Sequence, residues 1–182
     1  MRSDPRADIV IRPATATDVP AILAIEQVSA GAPHWPAARY AEMLADDPGS
    51  LQKRALLVAE IGGDIAGYAV AMVVAEDAEL ESIAVSPAFR RQGVGLRLGE
   101  ALLDWAIAQG AAEIYLEVRA TNLAAYLLYE WLGFYKTGIR KSYYDNPLED
   151  AVLMTCHIRD QRSEKRDQRL ENREQGAGNK GM

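Results

Sequence analysis

A single α/β domain with a mixed sheet is the fold class this sequence predicts, and three observations predict it. Apolar runs of period two and of period 3.6 follow one another through residues 9–158, the pattern of strands interleaved with helices. A glycine pair, Gly62–Gly63, separates two long strand-like runs, as in a β-hairpin. At Arg159 the composition changes abruptly to RDQRSEKRDQRLENREQ, which holds one large apolar residue. The chain has 182 residues and is 49% hydrophobic, enough for one substantial core plus an appended tail.

The elements follow in order. IVIRPA, from Ile9, alternates and then meets Pro13, as a short strand would. Val19, Ile22, Leu23 and Glu26 recur at helical spacing in VPAILAIEQVSA, with Thr17 or Asp18 as the N-cap. GAPHWP, residues 31–36, is a break, and AARYAEMLA is a second short helix. RALLVAEI and IAGYAVAMVVA are the hairpin arms, and ELESIAVSP is a strand ended by Pro87. Leu98, Leu102, Leu103, Trp105, Ala106 and Ile107 form a helical stripe, with Gly110 as its C′ residue. EIYLEVR is a strand, and NLAAYLLYEWLG is a helix opened near Asn122 and closed at Gly133. FYKTGIRKSYY and AVLMTCHI are the last strands, joined by DNPLED.

Charge and composition narrow the function classes. The net charge is −6, which gives no support to nucleic-acid binding. The tail, residues 159–182, carries seven basic and five acidic residues and reads as disordered or loosely helical. Cys156 is the sole cysteine, so no internal disulfide forms, and its strand-like neighbours suit a packed thiol. The first residues lack an apolar signal core, and no run reaches the roughly 18 apolar residues of a membrane span. A cytoplasmic protein with no membrane partner is therefore expected. The two histidines, His34 and His157, stand far apart in unrelated segments, and no metal site is expected.

The stretch SPAFRRQGVGLRLGEALLDWA, residues 86–106, carries the first chemical signal. Gly93 and Gly95 lie between a strand and a helix, where absent Cβ atoms permit positive φ and close approach by a ligand. Free N–H groups and the positive end of a helix dipole would face an anion there, with Arg90, Arg91 and Arg97 adding charge. The stretch has neither the Gly-Lys-Ser/Thr ending of a Walker loop nor three spaced glycines. By itself it suits a plain strand-to-helix turn equally well.

The order of motifs is more specific. RRQGVG is followed by an amphipathic helix, then by LEVR, then by TNLAAYLLYEWLGF from Thr121 to Phe134. Over residues 9–158 this order resembles the GNAT family of acetyl-CoA-dependent N-acetyltransferases. Within the family it is most similar to the branch that acetylates the N-terminal alanine of ribosomal protein S18, on LEVRATN, LYEWLGF, IRKSYY, EDAVLM and AIEQVSAGAPHW. The resemblance implies a mostly antiparallel mixed sheet with flanking helices, splayed between its fourth and fifth strands. It also implies acetyl-CoA as cosubstrate and a protein or peptide N-terminus as acceptor.

Residue by residue, the resemblance implies that Arg90, Arg91, Gln92, Gly93, Val94 and Gly95 hold the coenzyme pyrophosphate. Backbone groups of Ile83, Ala84 and Val85 pair with the pantetheine arm, and Asn122 reaches it from the next helix. Asn122 also reads as an ordinary N-cap. Glu117, which alternates with Leu116 and Val118, is implied as the base; a salt bridge to Arg119 or another arginine is the alternative. Tyr129 is implied as the acid at the coenzyme sulfur; a core aromatic is the alternative. Trp35 and the Tyr143–Tyr144 pair fall where the peptide groove is built, and all three also suit ordinary packing. Glu79 and Glu81 read as one face of their strand. Glu81 stands where the branch usually has an apolar residue, so it is a candidate for the substrate ammonium or a basic peptide residue. Two further functions remain open at this level: acetylation of a small-molecule amine, and a non-catalytic acyl-CoA-binding module.

Overall fold

The computed structural model describes residues 9–29, 31–45 and 49–158; the expectation for the charged tail lies outside the described residues. Strands run β1 Val10–Pro13, β2 Gln52–Ile61, β3 Asp64–Val74, β4 Asp77–Val85, β5 Glu113–Arg119, β6 Tyr135–Asp145 and β7 Leu148–His157. Helices run α1 Val19–Gln27, α2 Ala37–Leu44, α3 Val94–Ala108 and α4 Leu123–Trp131. The seven strands form one sheet in the order β1-β2-β3-β4-β5-β7-β6. All neighbours pair antiparallel except β4 and β5. That parallel pair is joined by α3, since a parallel connection needs a crossover.

The β4–β5 ladder is short. It holds only Asp77↔Glu113, Ala78↔Ile114 and Glu79↔Tyr115. Beyond Glu79 the strands part, while β5 stays paired to β7 from Glu113↔His157 through Arg119↔Ala151. The sheet therefore splays between its fourth and fifth strands, leaving Leu80–Val85 with an open edge toward β5.

Two apolar clusters hold the layers. Leu98, Leu102, Leu103 and Ala106 of α3, with Tyr129 of α4, bury one sheet face around Ile114, Leu116, Val118 and Met154. Ile22 and Ile25 of α1 and Tyr40 of α2 cover Val58, Tyr68, Val70 and Ala84 on the other. Close approach of α3 depends on small residues. A Cβ on Gly99 would stand 2.3 Å from Leu132 Cδ1, and one on Gly67 of β3 would stand 2.8 Å from the Ala84 carbonyl.

Local structure departs from expectation in four places. α1 ends at Gln27 rather than running through VSA, because the Ser29 hydroxyl turns back to the Ile25 carbonyl at 2.7 Å. Asp18 precedes α1 but does not cap it; its carboxylate accepts instead from the Thr15 N–H at 2.8 Å and from Arg12 at 2.8 and 2.9 Å. The β6–β7 connection is shorter than DNPLED, because Tyr144↔Glu149 and Asp145↔Leu148 extend the ladder and leave only Asn146 and Pro147 to turn. A bulge in the β3–β4 ladder leaves Glu81 outside the register between Val70↔Ser82 and Ala71↔Leu80. It reverses alternation along β4: Leu80 packs in the α3 cluster, while Ala84 packs in the α1–α2 cluster.

Candidate active site

The end of β4 leads through a turn at Pro87–Phe89 into the RRQGVG loop. Arg91 and Gly93 both adopt left-handed backbone, with φ of 60° and 85°. Two such residues close together fold the chain sharply onto the start of α3. Gly93 is the N-cap, and no side chain bonds to the helix end. The first helical hydrogen bond runs from the Arg97 N–H to the Gly93 carbonyl at 3.0 Å. Amides of Val94, Gly95 and Leu96 are thus first-turn donors without intrahelical acceptors, at the positive end of a 15-residue helix. Gly93, Val94 and Gly95 fit an anionic group through their backbone.

The side chains nearby divide their work. Arg90 Nε donates to the Val85 carbonyl at 3.2 Å, and Gln92 Nε2 to the Ala88 carbonyl at 3.1 Å, so both brace the loop. Arg91 and Arg97 are exposed. Gly95 has the helical backbone of α3 and no positive φ, contrary to the expected turn. Its missing Cβ makes room for Leu128 of α4, 3.2 Å from where that atom would be. Beside the loop lies the open edge of β4, where Ile83 and Val85 pack toward the α3 cluster and Ala84 toward the other.

Across the splay stands Glu117. Ile114, Leu116 and Val118 of β5 are buried, so Glu117 lies on the opposite face, with a side chain 24% exposed. Its Oε1 accepts from Arg140 Nη1 at 2.6 Å. The alternative of an ion pair is therefore realised, but with Arg140; Arg119 pairs with Glu149 at 3.2 Å. The Glu117 carboxylate, with burial, raises the Tyr143 phenol pKa against the opposing pull of Arg140. The Arg140 guanidinium lies 4.7 Å from the Tyr143 ring centroid.

Glu79 and Glu81 complete an acidic lining. Arg54, Met72 and Glu79 lie in register across β2, β3 and β4. Glu81 is ion-paired with Arg54. Burial, reinforced by the charges of Glu81 and Glu117 and opposed by Arg54, lifts the Glu79 pKa. Three carboxylates thus share one electrostatic environment at the mouth of the splay.

Tyr129 is a core residue by packing: it is 7% exposed, and its ring meets Phe134 edge-on at 5.8 Å. Burial, with a smaller push from Tyr144, raises its phenol far above the ordinary value, so the hydroxyl keeps its proton at neutral pH. Tyr144 is in turn influenced by Glu117 and lies under the Arg119 guanidinium at 4.1 Å. Sequence reading placed Tyr144 with Tyr143 at the groove but did not single out Arg140. Arg140 lies in IRKSYY, where strand alternation hides which side chains meet Glu117.

The remaining residues are placed as follows. Asn122 is the N-cap of α4, with Oδ1 accepting from the Ala125 N–H at 3.2 Å. Its Nδ2 remains as a donor, near Gly31 of the GAPHWP break. Trp35 in that break meets Tyr40 edge-on at 5.9 Å, and its backbone N–H donates to the buried Glu26 at 3.3 Å. It is anchored in the α1–α2 core, away from Glu117 in sequence and on a different element from Tyr143. Among the described residues, no group of three His, Cys, Asp or Glu side chains could hold a metal ion.

This is the architecture of an acyl-CoA-dependent acetyltransferase. The Acetyltransferase (GNAT) family model matches residues 20–134, and the chain belongs to that family. Among curated proteins it is similar to the [ribosomal protein bS18]-alanine N-acetyltransferase of Escherichia coli strain K12. The two are 45% identical over 98 residues, which is 53% of this chain and 66% of that relative, just under two thirds of its length. Among solved structures, the ribosomal-protein-S18-alanine N-acetyltransferase from Escherichia coli superposes with a TM-score of 0.69 at 37% identity, over 82% of this chain and 94% of that one. The structure of yncA from Salmonella typhimurium, determined with its cofactor acetyl-CoA, shares the fold at a TM-score of 0.68 and 23% identity, covering 82% of this chain and 94% of its own.

Proposed function

We propose that the protein transfers acetyl from acetyl-CoA to the N-terminal α-amine of a protein, with the N-terminal alanine of ribosomal protein S18 as the favoured acceptor. The observation that carries this reading is the splay. An uncapped helix N-terminus and an open strand edge lie on one side of it, and the Glu117 carboxylate lies on the other. The named relatives support the choice of acceptor.

Each group has a defined task. Amides of Gly93, Val94 and Gly95 bind the pyrophosphate, with Arg91 and Arg97 adding charge. Backbone groups of Ile83, Ala84 and Val85 hold the pantetheine arm, and an edge N–H polarises the thioester carbonyl. An α-amine has a reference pKa near 8, so roughly a tenth of it is neutral at pH 7, whereas a lysine is about a hundredfold poorer. Glu117 accepts the amine proton, directly or through one water, as the C–N bond forms. Tyr129, protonated at neutral pH as a phenol is, donates to the departing sulfur. Glu81 and Tyr143 face the incoming peptide, and Trp35 supports the groove from the α1–α2 side.

The direct test is mass spectrometry of peptides incubated with the enzyme and acetyl-CoA. A peptide with the S18 N-terminus should gain one acetyl group on its α-amine. Turnover with free small amines but with no alanine-starting peptide would give the activity to small molecules. Tight coenzyme binding without transfer to any amine would make the protein a binding module.

A further inference from the structure

The strand pairing beside Glu117 contains an irregularity that alternation along the chain does not predict. In the β6–β7 ladder, Arg140 pairs with Ala151 and Tyr144 pairs with Glu149. Three residues, Lys141, Ser142 and Tyr143, therefore stand opposite Asp150 alone. Simple alternation would send Tyr143 to the sheet face opposite Arg140 and Tyr144. The bulge returns it: its ring lies under the Arg140 guanidinium, 4.7 Å from the centroid, Arg140 Nη1 donates to Glu117, and the Glu117 carboxylate raises the Tyr143 phenol pKa.

One side chain closes this bulge. Asp150 Oδ1 accepts the Ser142 N–H at 2.9 Å, and Oδ2 accepts from Lys141 Nζ at 2.7 Å. Ser142 has φ of 49°, a left-handed conformation that disfavours residues with a Cβ. The bulge is thus held against local backbone preference by a carboxylate that satisfies the amide released from the ladder. Those two bonds also hold the Asp150 carboxyl below its usual range.

We propose that Asp150 is a positioning residue for the acetyl transfer: by clamping the Lys141–Tyr143 bulge it holds Tyr143 and Arg140 on the Glu117 carboxylate. The proposal rests on Glu117 being the proton acceptor. Asp150 touches neither Glu117 nor the reacting atoms, and its influence passes through Tyr143. A carboxylate left without these partners would sample other rotamers, and small misplacements of a reacting group cost on the order of 100-fold in rate.

A double-mutant cycle on the full chain tests this, with kcat/KM for an alanine-starting S18 peptide as readout and a thermal melt as the check of folding. Asp150→Ala should lower kcat/KM by about 10- to 100-fold, with acetyl-CoA KM unchanged. Combining it with Tyr143→Phe should lower it by much less than the product of the two single effects, because the second change removes a contact already lost. Adding Ser142→Gly to Asp150→Ala should restore part of the loss, since glycine takes the left-handed conformation unaided. Wild-type kcat/KM in folded Asp150→Ala, or a multiplicative cycle, overturns the proposal. If Asp150→Ala does not fold, the cycle is run with Asp150→Asn, which keeps one acceptor but loses the Lys141 pair, and the same criterion of non-additivity decides. Glu117→Gln is the control: full activity there removes the base assignment, whereas loss of activity there with a multiplicative Asp150 cycle removes only the positioning role.

Discussion

Glu117 and Tyr129, the proposed base and acid, differ in their surroundings. Glu117 is part-exposed and ion-paired with Arg140, while Tyr129 is buried among apolar side chains. A carboxylate can accept a proton as a bond forms, and a phenol, protonated at neutral pH whether buried or not, can donate one. Replacing Glu117 by Gln should lower kcat by about 100-fold or more with acetyl-CoA affinity nearly unchanged, and Tyr129→Phe should act likewise. Steady-state kinetics together with calorimetric coenzyme titration would check both; wild-type turnover in Tyr129→Phe would return that residue to a packing role. Asp18 offers a pH test of stability at the same scale. Hydrogen bonds from Arg12, more than any other influence, depress its carboxyl pKa below the unfolded value near 4. The stabilisation is therefore complete above the ordinary carboxylate range and is lost as pH falls through the folded value. Asp18→Asn should cost about 1 kcal/mol at pH 7 and flatten the fall in stability below about pH 5, as read by urea unfolding at a series of pH values.

At the scale of elements, α3 is the part that does most to place the chemistry. The glycine that caps it and one inside it act for different reasons. Gly93 turns the chain with φ of 85° at the helix start, whereas Gly99 lets Leu132 pack against the helix barrel. Their substitutions should separate cleanly. Gly93→Val forces a β-branched residue into left-handed backbone and should weaken acetyl-CoA binding by about tenfold or more while the core stays intact. Gly99→Val overpacks a buried contact and should lower unfolding stability by about 2 kcal/mol, with coenzyme affinity in the folded fraction little changed. Parallel thermal melts and coenzyme titrations of the two variants would show the pattern, and an equal effect on both quantities in either variant would contradict it. Elsewhere the elements follow their sequence signals closely. Periodicity placed β5 and α3, and Gly110 and Gly133, both left-handed in the structure, close their helices as glycine at C′ does.

Across the whole molecule, the splay is what turns a sheet into a site, and it depends on register rather than on any residue type. Three pairs join β4 to β5, and then the strands diverge so that β4 offers an open edge and β5 offers Glu117. Alternation in EIYLEVR made the orientation of Glu117 legible, and the order of RRQGVG, LEVR and TNLAAYLLYEWLGF made the family legible. Partners were not. Glu117 meets Arg140 from β6, 23 residues away, rather than its sequence neighbour Arg119. Gly95 looks like a turn glycine but is a packing glycine, because the residue it accommodates, Leu128, lies on another helix. Tyr143 could be placed near the groove but not on Glu117, since a bulge clamped by Asp150 reverses its side. The sequence by itself determined the order of strands and helices, which is written in local spacing, and through its resemblance to the GNAT family it nominated the proposed phosphate loop and the candidate acid and base. Only the tertiary structure decided where the sheet opens, which arginine pairs with which carboxylate, and which glycines bend rather than pack, because register shifts and interhelical approach arise between segments that no local pattern relates.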